Sequence, residues 1–212
     1  MQVTQLDHIL QLPVIPVYYH DNPDTCADTV RACYRGGIRT FEFTNRGDAA
    51  AANFSALLKL RASEMPDLKL GIGTIKTPAE AERFIELGAD FIVSPIVNRE
   101  VAAVAAQSGS LWIPGCMTPT EIALAEDLGA SLVKLFPGDT LGPGFLKAIK
   151  PLFKSLRFMP TGGVEPTEES ITRWFDAGVS AVGLGSKLFA NLDGGYEVLE
   201  NRCRTVLSYL QR

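Results

Sequence analysis

Histidine is scarce in this 212-residue chain, with only His8 and His20, both near the N-terminus. Catalytic metal sites usually combine imidazoles with carboxylates, so a histidine-based centre elsewhere is excluded and only an all-oxygen magnesium site is left open. The four cysteines, Cys26, Cys33, Cys116 and Cys203, form no C-x-x-C pair and match no zinc spacing. They read as buried, reduced thiols. Charge is also low: 20 Lys+Arg against 24 Asp+Glu give a formal net charge of -4. That balance argues against a nucleic-acid partner, which usually meets a basic domain or stripe. No apolar run approaches the roughly 18 residues of a membrane span, so no membrane partner is expected. Residues 1–8 show no basic stretch followed by an apolar one, so no secretory leader is expected and the cytoplasm is the default. Disorder is excluded as well, because 46% of residues are hydrophobic and only 21% charged.

What is present is an alternation. Eight short apolar runs read as strands: Val14 to Tyr19, Thr40 to Thr44, Lys69 to Thr74, Phe91 to Pro95, Leu111 to Gly115, Leu132 to Pro137, Arg157 to Gly162 and Ala181 to Ser186. They lack polar alternation, as strands covered on both faces do. Amphipathic helical patterns fill the gaps: Pro23 to Tyr34, Ala49 to Ser63, Pro78 to Leu87, Arg99 to Gln107, Pro119 to Leu128, Pro143 to Phe153, Glu168 to Ala177 and Tyr196 to Leu210. Asn22-Pro23, Thr77-Pro78 and Thr118-Pro119 place a capping side chain before proline at the first helical position. Thr118 with Glu121 fits a capping box. Gly36-Gly37, Gly88, Gly109, Gly129 and Gly178 follow helical runs where a left-handed residue is wanted. Eight βα units of about 26 residues each suit a compact (β/α)8 TIM barrel. The rival open sheet usually carries a glycine-rich loop after its first strand, and His20-Asp-Asn-Pro23 is not one. The expectation is a single-domain α/β barrel over residues 1–212, with a short helix over residues 2–11 closing its lower end.

Active sites of such barrels lie at the C-terminal strand ends. Lys134 sits inside the apolar run Leu132-Val-Lys-Leu-Phe136. Lysine is almost never buried without a reason, burial disfavours a charged amine, and a neutral amine attacks carbonyls to form a Schiff base. The plainer reading has Lys134 pointing outward and snorkelling; period 2 alone does not choose between them. Glu42, in Thr40-Phe-Glu-Phe-Thr44, reads as a general acid/base or as half of an ion pair. Arg46 reads as a carboxylate clamp or a solvated loop residue. Thr161-Gly162-Gly163 and Gly183-Leu-Gly185-Ser186 follow the seventh and eighth strands, where barrels often bind phosphate on backbone N–H groups; the plainer reading is ordinary tight turns. Gly71-Ile-Gly-Thr74 leaves room for a ligand that Thr74 hydrogen-bonds, or else holds a packing glycine and a satisfied hydroxyl. Phe136 reads as an apolar wall that keeps Lys134 dry.

These residues resemble the 2-keto-3-deoxy-6-phosphogluconate (KDPG) and 4-hydroxy-2-oxoglutarate (KHG) aldolase family, small class I aldolases. The likeness is carried in order by Pro13-Val-Ile-Pro-Val17, Glu42-Phe-Thr-Asn-Arg46, Gly71-Ile-Gly-Thr74, Val93-Ser-Pro95, Ile113-Pro-Gly115, Lys134-Leu-Phe-Pro137, Pro160-Thr-Gly-Gly163 and Gly183-Leu-Gly-Ser186. The resemblance implies Lys134 as the Schiff-base lysine and Glu42 as the acid/base working through a bound water. It implies that Arg46, Thr74 and Thr161 hold the pyruvyl carboxylate and nearby oxygens, and that Pro95 and Phe136 line the pocket. Gly162, Gly163, Gly185 and Ser186 would cradle the 6-phosphate. It further implies a homotrimer without metal or cofactor, whose small-molecule partners are a phosphorylated 2-keto-3-deoxy sugar acid and its product pyruvate. Ile96, Gly138-Asp139, Pro114-Gly-Cys-Met-Thr118 and Leu141-Gly-Pro-Gly-Phe145 depart toward the related 6-phosphogalactonate aldolases, while Glu42-x-Thr-x-Arg46 looks like the gluconate branch. A phosphosugar isomerase or epimerase, or a non-catalytic phosphometabolite-binding barrel, would share the glycine loops without needing Lys134.

Overall fold

The computed structural model describes residues 4–210. Its order is α1 (Gln5–Gln11), β1 (Val14–Tyr18), α2 (Pro23–Arg35), β2 (Thr40–Thr44), α3 (Ala50–Glu64), β3 (Lys69–Gly73), α4 (Pro78–Leu87), β4 (Phe91–Val93) and α5 (Arg99–Ser108). There follow β5 (Leu111–Ile113), β6 (Gly115–Cys116), α6 (Pro119–Asp127), β7 (Leu132–Leu135), α7 (Gly138–Ile149), β8 (Arg157–Pro160), α8 (Glu168–Ala177), β9 (Val182–Leu184) and α9 (Tyr196–Ser208). The α/β alternation is as expected, and β2, α4 and α8 fall on their expected bounds. Residues 2 and 3 of the expected first helix lie outside the described residues.

Helix starts follow the capping chemistry. Asn22 accepts from the Thr25 N–H, and Thr77 and Thr118 form capping boxes with Glu80 and Glu121. The helix stops at Gly88, Gly109 and Gly178 are left-handed. One helix departs from expectation. α7 begins at Gly138, five residues before Pro143, because a first turn forms there and then breaks at Gly142, which has φ 68° and ψ 167°. The helix resumes at Pro143.

The strands are all parallel, but their ladders form two sheets: β5-β4-β3-β2-β1-β9 and β6-β7-β8. This corrects the expected single closed eight-stranded barrel. The physical reason is local. Pro114 has no N–H for the ladder and divides the fifth expected strand into β5 and β6. At the other seam, β8 meets β9 only through an isolated Thr161–Gly183 bridge. Both seams still carry hydrogen bonds, from the Lys134 N–H to the Pro114 carbonyl and from the Ser180 N–H to the Phe158 carbonyl, each 2.8 Å.

Two apolar clusters reveal the layers. The larger gathers the outward faces of the strands with the helices, including Phe41, Phe43, Ile72, Val133, Leu135 and Phe158. The smaller gathers the inward faces of both sheets: Ile15, Phe91, Val93 and Ile113 from one, Leu132 and Met159 from the other, with Ala181 beside β9. Ile9 of α1 completes it, with Leu6 packed against it. The short N-terminal helix thus covers the apolar end of the enclosed space. Ile9 is 1% exposed. Ile9→Ala is expected to lower unfolding free energy by about 3 kcal/mol and Tm by about 6–12 °C in thermal melts. A change under about 1 kcal/mol would show that α1 does not close this core.

Candidate active site

The inner cluster supplies the strand phase that period 2 alone lacks. Leu132 faces inward, so Lys134, two residues on, faces the same way. Phe41 and Phe43 belong to the outer cluster, so Glu42 between them faces inward. Met159 faces inward, and Thr161 follows it by two. The enclosed space therefore has an apolar lower layer and, toward the C-terminal strand ends, a polar upper layer of Glu42, Lys134 and Thr161.

Lys134 Nζ stands 3.6 Å from Glu42 Oε1. Lys134 is 5% exposed and Glu42 1%. The separation exceeds that of a well-formed N–H···O bond, about 2.7–3.2 Å. Neither carboxylate oxygen accepts a hydrogen bond from the described residues, and the buried Thr161 Oγ1 is likewise unpartnered. Buried polar groups are usually satisfied, so these three oxygens without a hydrogen-bond partner single out the upper layer as a candidate site. The Lys134 ammonium also lies 5.2 Å from the centre of the Phe136 ring, within cation–π range. This places Phe136 as a wall beside the amine, and Pro95, half-buried, follows β4 in the other sheet.

The glycines of β3 behave differently from the expectation that they leave room for a ligand. A methyl built on Gly71 would overlap the Phe91 ring, and one on Gly73 would overlap Glu42 Oε1 and lie 2.7 Å from its Cδ. The space is filled by protein groups, an aromatic floor and the carboxylate. Gly183 does the same for Thr161, whose Oγ1 a methyl there would overlap. Thr74, directly after Gly73, has φ +65°. A β-branched residue there carries about 1–3 kcal/mol of strain, which marks this turn as held by its surroundings.

The two candidate anion loops are neighbours, because the Thr161–Gly183 bridge joins their strands. Gly162 and Gly163 both have positive φ. The Gly138 N–H donates to the Thr161 carbonyl at 2.8 Å, tying α7 to this loop. Asp139, noted in the sequence only as a departure, packs against Gly163. Gly185 has open space on its Cβ side, and Ser186 is exposed. Arg46 is exposed on the turn after β2 and forms no ion pair among the described residues. It is near Glu42 in sequence, but no contact draws it to Lys134. Burial pushes the Cys116 thiol up to about 12, with the Glu121 charge adding to it. This leaves Cys116 unsuited as a nucleophile. Among the described residues no three His, Cys, Asp or Glu side chains gather as a metal-holding group, and no helix is long and apolar enough to cross a membrane.

The enclosed ion pair has a measurable signature. Lys134→Met leaves a buried carboxylate without its counter-charge and is expected to cost about 3 kcal/mol. Adding Glu42→Gln is expected to recover most of that loss in a urea-unfolding double-mutant cycle. Strictly additive losses would contradict the pairing.

The sequence pattern of KDPG and KHG aldolases matches residues 6–195. The chain is 35% identical to the 2-dehydro-3-deoxy-phosphogluconate aldolase of Treponema pallidum, over 76% of each chain. It is 30% identical to the 2-dehydro-3-deoxy-6-phosphogalactonate aldolase of Escherichia coli, covering 84% of this chain and 85% of that one. A solved KDPG aldolase of Legionella pneumophila, with pyruvate captured as a covalent carbinolamine intermediate, superimposes with a TM-score of 0.85 at 27% identity, covering 95% of this chain and 97% of that one. With the family pattern spanning most of its length and these relatives beside it, the chain belongs to the KDPG and KHG aldolase family.

Proposed function

We propose that this protein is a class I aldolase that reversibly cleaves 2-keto-3-deoxy-6-phosphogluconate to pyruvate and glyceraldehyde 3-phosphate. The observation that carries this reading is the enclosed Lys134–Glu42 pair, 3.6 Å apart with both carboxylate oxygens unpartnered. In its neutral form Lys134 attacks the C2 ketone, water leaves, and a protonated imine forms. Glu42 takes the proton of the C4 hydroxyl as the C3–C4 bond breaks. The bonding electrons move into the imine, giving an enamine and releasing the aldehyde. Glu42 then returns a proton to C3, and water hydrolyses the imine to free pyruvate and Lys134. Arg46, Thr74 and Thr161 hold the pyruvyl carboxylate and its neighbouring oxygens, Pro95 and Phe136 line the pocket, and Gly162, Gly163, Gly185 and Ser186 hold the phosphate. Binding energy from that remote phosphate orients the reacting carbons. 4-Hydroxy-2-oxoglutarate, giving pyruvate and glyoxylate, is a second substrate of the same chemistry.

The galactonate epimer is the second reading, favoured by the greater coverage of the Escherichia coli galactonate relative. An isomerase or a non-catalytic binding barrel suits the site less well, since neither gains from an enclosed lysine. We also propose that the two sheets belong to a single domain over residues 1–212. The hydrogen bonds at both seams and the shared inner cluster support it. The homotrimer rests on the family resemblance, and four buried free thiols suit the cytoplasm.

Pyruvate release, coupled to a reporter dehydrogenase, is expected with either phospho-sugar acid and is expected to be insensitive to EDTA. The faster of the two names the preferred C4 epimer. Lys134→Met is expected to lower the rate by at least about 10⁴-fold, the scale of a lost nucleophile. Partial activity of that variant would favour an isomerase-like site, and no pyruvate from the wild-type chain would refute the aldolase reading.

A further inference from the structure

We infer that Gly73 is a positioning residue that sets where the Glu42 carboxylate stands relative to Lys134. This inference rests on the aldolase reading. In the β2–β3 ladder Glu42 pairs with Gly71, and Thr44 pairs with Gly73. A strand side chain leans along its strand, so the Glu42 carboxylate passes across the inner face of the neighbouring strand at the level of Gly73. The contact there is close. A methyl on Gly73 would overlap Glu42 Oε1 and lie 2.7 Å from Cδ and 2.9 Å from Cγ. Oε1 is also the oxygen that faces Lys134 Nζ. Any side chain at this position therefore moves the oxygen that handles the proton.

The carboxylate has no other tether. Neither oxygen accepts a hydrogen bond from the described residues, so its place is set by shape and by the attraction of Lys134. The carboxylate is 1% exposed and cannot retreat into solvent. Behind Gly73 stands Thr74 at φ +65°, which leaves the strand little freedom to yield. Gly73 is thus required for the reach of a neighbouring side chain; its own φ is not in the left-handed region.

Gly73→Ala tests this. It is expected to lower kcat for aldol cleavage by about 100-fold, the scale of a misplacement of about 1 Å, with KM within a few-fold of wild type. Borohydride trapping of pyruvate on Lys134 is expected to persist, because the amine is untouched. Exchange of the pyruvate C3 protons with D2O, followed by NMR, is expected to slow in step with kcat. Glu42→Asp, one methylene shorter, withdraws the carboxylate from Gly73. In that background Gly73→Ala is expected to change kcat less than about threefold. An equal loss in both backgrounds, or trapping lost together with cleavage, would overturn the inference. Thermal melts of the same four proteins read the contact without catalysis, so an inactive wild-type chain refutes the aldolase reading separately. If Gly73→Ala alone does not fold, recovery of the fold by Glu42→Asp supports the contact, and failure of both overturns it.

Discussion

The attraction between Lys134 and Glu42 inside the enclosed space is the interaction on which the rest of the structure turns. Two opposite charges at 3.6 Å, nearly without solvent, are weak evidence for stability, because desolvation offsets much of their attraction. Here one partner is an enclosed amine, a group type that attacks carbonyls when neutral, and the other is a carboxylate that accepts no hydrogen bond from the described residues. Neighbouring features read as provisions for that pair. The Lys134–Glu42 contact links β7 to β2 across the enclosed space, the Phe136 ring flanks the amine, and Ile9, Ile15, Phe91 and Met159 belong to the buried apolar layer below.

Glycine has three separate uses in this chain. At helix ends it relieves the left-handed turn, as at Gly88 and Gly178. On inner strand faces it yields space to a neighbour, as Gly73 does to Glu42 and Gly183 to Thr161. In the loop after β8 its positive φ shapes a turn at the candidate phosphate position. The slightly acidic balance of the whole chain is compatible with an anionic substrate, because backbone N–H groups can hold a phosphate without a basic patch.

Much of the fold was legible because capping chemistry is local. Asn22, Thr77, Thr118 and the terminal glycines announce their helices within four or five residues. Less was legible where the outcome depends on distant groups. The direction of Lys134 could not be read from its own strand, since alternation gives a period and no phase; the packing of Leu132 against Ile15 and Met159 in the inner cluster supplies the phase. The split at Pro114 follows from its missing N–H, yet a continuous apolar run masked it. The first turn of α7 was hidden because Gly138 and Gly142 are poor helix formers. Gly73 read as space for a ligand because nothing in its own strand names Glu42 as the occupant.

The central claim is that Lys134 forms the covalent bond to pyruvate. The most direct measurement is peptide mass mapping after incubation with pyruvate and borohydride. A reduced pyruvyl adduct on the peptide that contains Lys134, absent from Lys134→Met, is the expected result. An unmodified Lys134 in a protein that still releases pyruvate would contradict it.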